Sequence, residues 1–275
     1  MIGQIVKIIN EDCFVSKDNK IYVCKPRGKL RNNNVFLKVG DYVSFDDKNN
    51  YILEQMDRTS DLERPSVANI DQAFIITSLK NPSFSSNLLD KLLVVCEINN
   101  IKPIICLTKK DLLDKGELKS MKPIVLYYKS LGYKVLYNKE KFKIKRLFKN
   151  KTTVFTGQTG AGKSTLLNTL DKTLNFEVGE ISKALGRGKH TTRIITLINL
   201  FNGKVLDTPG FSSIDLKSYS IDQIKNAFIE FNKYTCPYKN CNHINEVDCM
   251  VKKACNDGKI LKSRYEDYIK FIEKR

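Results

Sequence analysis

One octapeptide, Gly157-Gln158-Thr159-Gly160-Ala161-Gly162-Lys163-Ser164, constrains this chain more than any other feature. Its pattern, G-x-x-x-x-G-K-[ST], works where a buried strand hands over to a helix. The glycines let successive backbone N–H groups turn toward a polyphosphate, and the helix N-terminus adds its dipole. The apolar run Thr153–Thr156 precedes it and a helical stretch opens near Lys163, so the required context is met. Lys163 then reaches the β- and γ-phosphates as a point charge, Ser164 holds Mg²⁺, and the nucleotide-binding set extends to Thr165. A loop of this kind belongs to a mostly parallel sheet flanked by helices.

The rest of the middle of the chain agrees. From Ile70 onward, apolar strands alternate with helical stretches: Phe74–Thr77, Asn87–Glu97, Ile104–Leu107 and Val135–Tyr137 lead up to the phosphate loop. Continuous apolar strands are those buried on both faces. Beyond the loop, Ile194–Phe201 and Lys204–Asp207 flank Asn202-Gly203, a strong signal for a two-residue hairpin turn.

The first sixty or so residues read differently. Gly3–Ile9, Asp12–Val15, Lys20–Cys24, Asp41–Phe45 and Tyr51–Met56 are short, β-branched or aromatic-rich, and separated by polar turns. Short strands without a helix predict a small closed barrel of the OB or SH3-like kind, left at Arg64-Pro65-Ser66. After Ser220 the pattern is helical, over Ile221–Asn232 and Ile260–Lys274, around a cysteine-rich loop. The expected architecture is multidomain: an N-terminal β-barrel over 1–66, a central α/β domain over 67–218, and a small α-helical metal-binding domain over 219–275.

Charge is distributed to match. The formal net charge is +17, of which 1–66 carry +1, 67–218 carry +13 and 219–275 carry +3, so the excess sits on the nucleotide-binding part. Its densest stretch holds Lys139, Lys141, Lys143, Lys145, Arg146, Lys149 and Lys151, a solvated face or one that meets phosphates. Such a balance favours a polyanionic partner, nucleic acid above all. Met1–Asn10 lacks the apolar core of a signal peptide, and no apolar run approaches a membrane span. The expectation is a cytoplasmic protein with no membrane partner, whose eight cysteines are thiols or metal ligands.

Base choice rests on Asp111 in Thr108-Lys109-Lys110-Asp111, just past the strand Ile104–Leu107. A carboxylate there accepts from N1–H and the 2-amino group of guanine. Adenine offers neither donor, so the charge would lie unpaired. Lys109 can lay its stem along the base, and Lys110 belongs to the same segment. Asp207-Thr208-Pro209-Gly210 follows the hairpin: Asp207 orients the Mg²⁺ water shell and the Gly210 N–H senses the γ-phosphate. Between them lies Gly186-Arg187-Gly188-Lys189-His190-Thr191-Thr192, where Thr191 or Thr192 can close over Mg²⁺.

Cys236, Cys241, His243 and Cys249 form C-x4-C-x-H-x5-C. Three thiolates and an imidazole make a closed tetrahedral set suited to one structural Zn²⁺, with Cys255 as a substitute ligand in principle. Cys13, Cys24, Cys96 and Cys106 fall in apolar elements and read as core thiols.

Asp111 precedes the phosphate loop, the reverse of the order in ordinary small GTPases. With the motif order, GRGKHTT at 186–192, DTPG at 207–210 and the cysteine pattern, the whole chain resembles the RsgA family of circularly permuted, ribosome small-subunit-dependent GTPases. The resemblance implies an OB barrel, a permuted GTPase domain and a zinc domain, with GTP and GDP as ligands. It also implies a monomer that binds the 30S subunit and its rRNA, assists late maturation, and is released after stimulated hydrolysis. The alternative is an RNA-binding module that nucleotide merely tunes. Two departures stand out. Thr108 replaces the family's usual Asn, which implies a slightly weaker guanine preference. Phe211 stands where many GTPases carry a water-positioning Gln, so hydrolysis should need a partner, with His190 orienting the water by analogy.

Overall fold

The structure, a computed structural model, describes residues 1–28, 30, 35–63, 65–171, 195–207 and 216–273. Five strands open it: β1 (Ile2–Ile9), β2 (Asp12–Lys17), β3 (Lys20–Pro26), β4 (Tyr42–Asp46) and β5 (Tyr51–Gln55). They pair in the order β1-β2-β3-β5-β4 and close through β1–β4, with β3 and β5 parallel and the other pairs antiparallel. That closure is the OB-type barrel the strand pattern predicts. Alternation turns Ile5, Val15, Val43, Phe45 and Ile52 inward, where all five are fully buried.

The segment after the barrel folds back on it rather than simply leaving. Short strands β6 (Asp61–Leu62) and β7 (Val67–Ala68) pair across the predicted exit. Arg58 grips buried Asp41 with two bonds, Nε to Oδ1 at 2.7 Å and Nη2 to Oδ2 at 2.8 Å. A bidentate guanidinium–carboxylate pair fixes orientation as well as distance.

The central sheet comprises β8 (Gln72–Ser78), β9 (Lys102–Thr108), β10 (Lys134–Tyr137), β11 (Thr152–Gly157), β12 (Thr196–Leu200) and β13 (Gly203–Asp207). Its order is β10-β9-β8-β11-β13-β12, parallel except for the β12–β13 hairpin. Every residue of β8 and β11 is buried, which is why these strands read as continuous apolar or Thr-rich runs. Helices α1 (Ser86–Ile98), α2 (Lys115–Ser130), α3 (Lys141–Phe148) and α4 (Lys163–Leu170) connect the strands. An Asp114/Glu117 capping box starts α2.

The hairpin turn differs from expectation. Leu200 pairs with Gly203, so the loop is Phe201-Asn202, both with positive φ (53° and 59°), and Gly203 opens β13. A Cβ on Gly203 would lie 1.9 Å from the Phe148 carbonyl oxygen. Close backbone approach, not the turn, is what requires glycine there.

The C-terminal region holds α5 (Ile221–Ala227), α6 (Met250–Asn256) and α7 (Lys262–Glu273). The predicted helix Ile221–Asn232 stops at Ala227, and only a 3₁₀ turn, Phe231–Lys233, follows. Tertiary packing breaks it. Phe228 and Phe231 stack on each other and meet Tyr268 edge-on, while Glu230 turns inward to Arg264. The region shares one apolar cluster with the sheet face under α1, running from Ile75 and Val94 to Phe228, Tyr268 and Phe271. At its centre Arg264, fully buried, binds Glu230 (Nη2 to Oε2, 3.1 Å; also Nε to Oε1) and Asp90 of α1 (Nη1 to Oδ1, 2.6 Å). The Tyr128 hydroxyl of α2 donates to the same Asp90 oxygen at 2.7 Å. The barrel joins the sheet at its other edge, where Lys7 of β1 pairs with Thr196 of β12 and the Lys204 ammonium donates to Gln4 Oε1 at 2.5 Å.

Candidate nucleotide site and metal centre

Register gathers the site. Because β8, β9 and β11 are parallel, Gly157 lies opposite Ile76, and Ser78 opposite Thr108, all at the carboxyl ends. Ligands bind at that edge in such sheets. Gly157 has φ 129°, and a Cβ on it would lie 2.0 Å from the Ile76 carbonyl oxygen, so the strand end tolerates only glycine. Gly160 and Gly162 also adopt positive φ (76° and 95°), and Gly162 is the residue before α4. Between them Ala161 is fully buried and anchors the loop in the apolar cluster beneath it.

The Lys163 ammonium donates to the Gly157 and Gln158 carbonyls, both at 2.9 Å. Burial among these neutral groups lowers its pKa, so an anion beside it would be favoured. Ser164, in the first turn of α4, is buried.

The base-reading segment is tied directly to this loop. The hydroxyl of Thr108, which is 3% exposed, donates to the Ala161 carbonyl at 2.6 Å. Lys109, in the left-handed conformation with φ 57°, donates to the Gly160 carbonyl at 2.8 Å and to the Asn81 carbonyl. Thr108 therefore ties the end of β9 to the phosphate loop. Asp111 sits exposed in the 3₁₀ turn Lys110–Leu112, and the Lys110 ammonium lies 4.7 Å from the centre of the Tyr137 ring. The Asn138 N–H donates to the Leu107 carbonyl, which brings the end of β10 against the same segment.

Asp207 ends β13, and that strand runs parallel to β11 beside the phosphate loop. His190, Thr191 and Thr192 fall within 172–194, and Gly210 with Phe211 within 208–215. Both segments lie outside the described residues.

The four cysteine–histidine positions converge. The Sγ atoms of Cys236, Cys241 and Cys249 and a ring nitrogen of His243 all lie within 4.8 Å of one another. Cys236 Sγ is 3.9 Å from Cys249 Sγ, and His243 Nδ1 is 3.3 Å from Cys249 Sγ. A tetrahedral ion with metal–sulfur bonds of about 2.3 Å requires sulfur–sulfur edges of about 3.8 Å, so the set fits such an ion. Burial pushes the Cys241 thiol up to about 12 and raises Cys249 too, so a bound cation is what would hold them as thiolates. The shell is preset. His243 has φ 59°, its carbonyl accepts from the Tyr265 hydroxyl at 2.7 Å, and its ring packs edge-on against Phe231. The Met250 N–H donates to Cys236 Sγ at 3.3 Å. Cys255 lies outside this group. Cys13, Cys24, Cys96 and Cys106 are buried elsewhere, and burial drives Cys106 up to about 12, as suits core thiols.

Comparison with known proteins decides the family. A profile described as RsgA GTPase matches residues 54–217, and one described as RsgA N-terminal domain matches 2–52. The chain belongs to the RsgA GTPase family. Membership makes it a GTP hydrolase. It is 42% identical over 281 residues to the small ribosomal subunit biogenesis GTPase RsgA 2 of Oceanobacillus iheyensis, covering 98% of this chain and 96% of that one. It is 43% identical to the small ribosomal subunit biogenesis GTPase RsgA of Pediococcus pentosaceus, covering 98% of this chain and 92% of the relative. Among solved structures, YjeQ from Thermotoga maritima superposes with a TM-score of 0.84 at 31% identity, covering 99% and 97%. YloQ, a circularly permuted GTPase, gives 0.81 at 34% identity, covering 99% and 94%. In this family member the signals missed from sequence are Lys109 as a staple and Thr108 as a bridge. Neither role shows in a linear motif, because the partner carbonyls lie some fifty residues away (|i−j| of 51 and 53).

Proposed function

We propose that this chain docks on the small (30S) ribosomal subunit, assists its late maturation, and leaves when subunit-stimulated hydrolysis removes the γ-phosphate. The observation that carries the reading is the stapling of Thr108 and Lys109, the residues just before Asp111, to the phosphate loop. It occurs in a chain whose relatives, over nearly its whole length, are named small ribosomal subunit biogenesis GTPases. The protein acts as a cytoplasmic monomer; among the described residues, no helix is long and apolar enough to cross a membrane.

The roles divide as follows. Asp111 selects guanine, with Thr108, Lys109 and Lys110 setting its position. Gly157 to Gly162, Lys163, Ser164 and Thr165 hold the phosphates. Ser164, Asp207 and Thr191 or Thr192 would hold Mg²⁺, which neutralises charge developing on the phosphate oxygens. Gly210 senses the γ-phosphate and His190 orients water. Cys236, Cys241, His243 and Cys249 would hold Zn²⁺ as a brace for the C-terminal fold. Functionally, 1–66 and 219–275 contact rRNA while 67–218 times release.

The buried Arg264 cluster supports a route between the timing and the contact. It clamps α7 and Glu230 to α1, so movement of the GTPase domain carries the metal-binding region with it. The deciding measurement is GTP turnover with and without purified 30S subunits. Strong stimulation is expected; absence of stimulation would favour the nucleotide-tuned RNA-binding module. Equal 30S affinity with GDP and with a nonhydrolysable GTP analogue would sink the coupling to release.

A further inference from the structure

Away from the nucleotide edge, α3 presents an unusual face. Phe142, Lys145 and Arg146 lie at i, i+3 and i+4, Lys149 follows just past the helix end, and all four are exposed, Phe142 at 73%. The opposite side, Ile144 and Phe148, is fully buried against the sheet. From Lys139 to Lys151 the sequence holds seven cations and one carboxylate, Glu140, which already pairs with Lys143 at 2.6 Å. The Arg146 guanidinium lies 5.8 Å from the Phe142 ring centre, and the Lys145 ammonium 5.8 Å from that of Phe201.

Phe201 connects this face to a cleft of about 620 Å³ at the barrel–sheet junction. Asn19 and Tyr42 line it from the barrel, and Asn150, Asn202, Lys204 and Lys151, the last paired with the cleft's Asp71 at 3.1 Å, from the sheet side. Tyr42 is 43% exposed. Lys204 is paired there with a neutral amide, Gln4 Oε1.

We propose that the α3 face and the junction cleft together form a binding track for single-stranded RNA. Phosphates run along Lys145, Arg146 and Lys149, Phe142 offers a stacking surface, and one nucleotide lodges in the cleft against Tyr42. Cations supply sequence-independent affinity, and aromatic rings take bases of any identity. The amide-rich lining suits the polar edges of a base. A membrane surface fits less well, because an interfacial helix needs a free apolar face and that of α3 is buried. The track deepens the ribosomal reading above, on which it rests for the source of the RNA, and adds an RNA contact within 67–218 to those of 1–66 and 219–275.

The test uses the full chain, a fluorescent twelve-nucleotide RNA of mixed sequence, and anisotropy titrations over a range of KCl concentrations. Combined Lys145→Glu, Arg146→Glu and Lys149→Glu should weaken binding at least tenfold. It should also lower the slope of log affinity against log salt by about 2, at about 0.7 for each cation lost on a single strand. Tyr42→Ala should weaken binding about fivefold or more, with Tyr42→Phe restoring it. Turnover with 30S subunits is measured on the same proteins. If 30S stimulates the unaltered chain while the triple variant binds RNA as tightly as before, the track is wrong and the ribosomal reading stands. If RNA binding falls as expected but 30S never stimulates, the track stands and the ribosomal reading fails. Binding to anionic vesicles without binding to RNA overturns the track.

Discussion

Thr108→Val isolates one interaction on which the nucleotide site depends. Valine keeps the shape of threonine at a position 3% exposed, but it removes the hydroxyl that donates to Ala161 at 2.6 Å. A buried hydrogen bond of this kind is worth about 1 kcal/mol net, and the carbonyl left behind adds some desolvation cost, so the total is about 1–2 kcal/mol. The bond joins the end of β9 to the phosphate loop, so its loss frees two segments that must meet one ligand together. If that energy holds the competent arrangement, the competent fraction falls and the apparent Kd for GDP rises by the same factor, about 5- to 30-fold. Fluorescent GDP titration measures this, and urea denaturation of the same protein reports folding. The reasoning is refuted if the unfolding midpoint drops while the GDP Kd is unchanged, because Thr108 would then be a core residue only. Thr108→Ser, which keeps the hydroxyl, should retain most of the affinity.

Asp111→Asn should shift preference from guanosine to xanthosine nucleotides, since an amide donates to the 2-oxo group; competitive binding with the two diphosphates checks it. A strong zinc chelator should expose three reactive thiols per chain, Cys236, Cys241 and Cys249, and loosen α5 to α7, read by thiol titration and hydrogen exchange, while the core thiols stay unreactive. Gly203→Ala should destabilise by about 2 kcal/mol or more, because its Cβ meets the Phe148 carbonyl, with urea unfolding as the measure. Burial raises Asp90 to about 6, the shared guanidinium of Arg264 opposing it only in part. A carboxyl raised in the folded state binds its proton more tightly there, so its contribution is full below its ordinary value of 3.8 and is lost as pH rises through about 6. Asp90→Asn should flatten that part of the stability–pH curve.

Much of this protein was written locally. The phosphate loop, its strand and its helix were legible because G-x-x-x-x-G-K-S specifies a backbone shape as well as a chemistry, and Gly157 and Gly162 adopt the positive φ that only such a loop requires. The five barrel strands followed from short β-branched or aromatic-rich runs between polar turns, and the order of Asp111 before Gly157 announced the permutation. The cysteine–histidine cluster that could hold a metal was legible from spacing, since four donors within fourteen residues (Cys236 to Cys249) have few ways to be arranged.

Only the folded chain decided the rest. Glycine at 203 looked like a turn residue because Asn-Gly is a turn signal, yet the nearby Phe148 carbonyl gave it a different duty. The helix begun at Ile221 looked longer because its helical pattern continues, but the partner of Glu230 is Arg264, which no local rule could supply. Thr108 read as part of the base-reading segment, and its bond to the Ala161 carbonyl shows only in the folded chain. The α3 cations read as a solvated face or one that meets phosphates, and the cleft near them exists only because the barrel packs on the sheet. Backbone shape and donor spacing act within a few residues, so sequence alone determined the phosphate loop. Partnerships between groups tens to hundreds of residues apart depend on strand register and packing, and those exist only once the chain has folded.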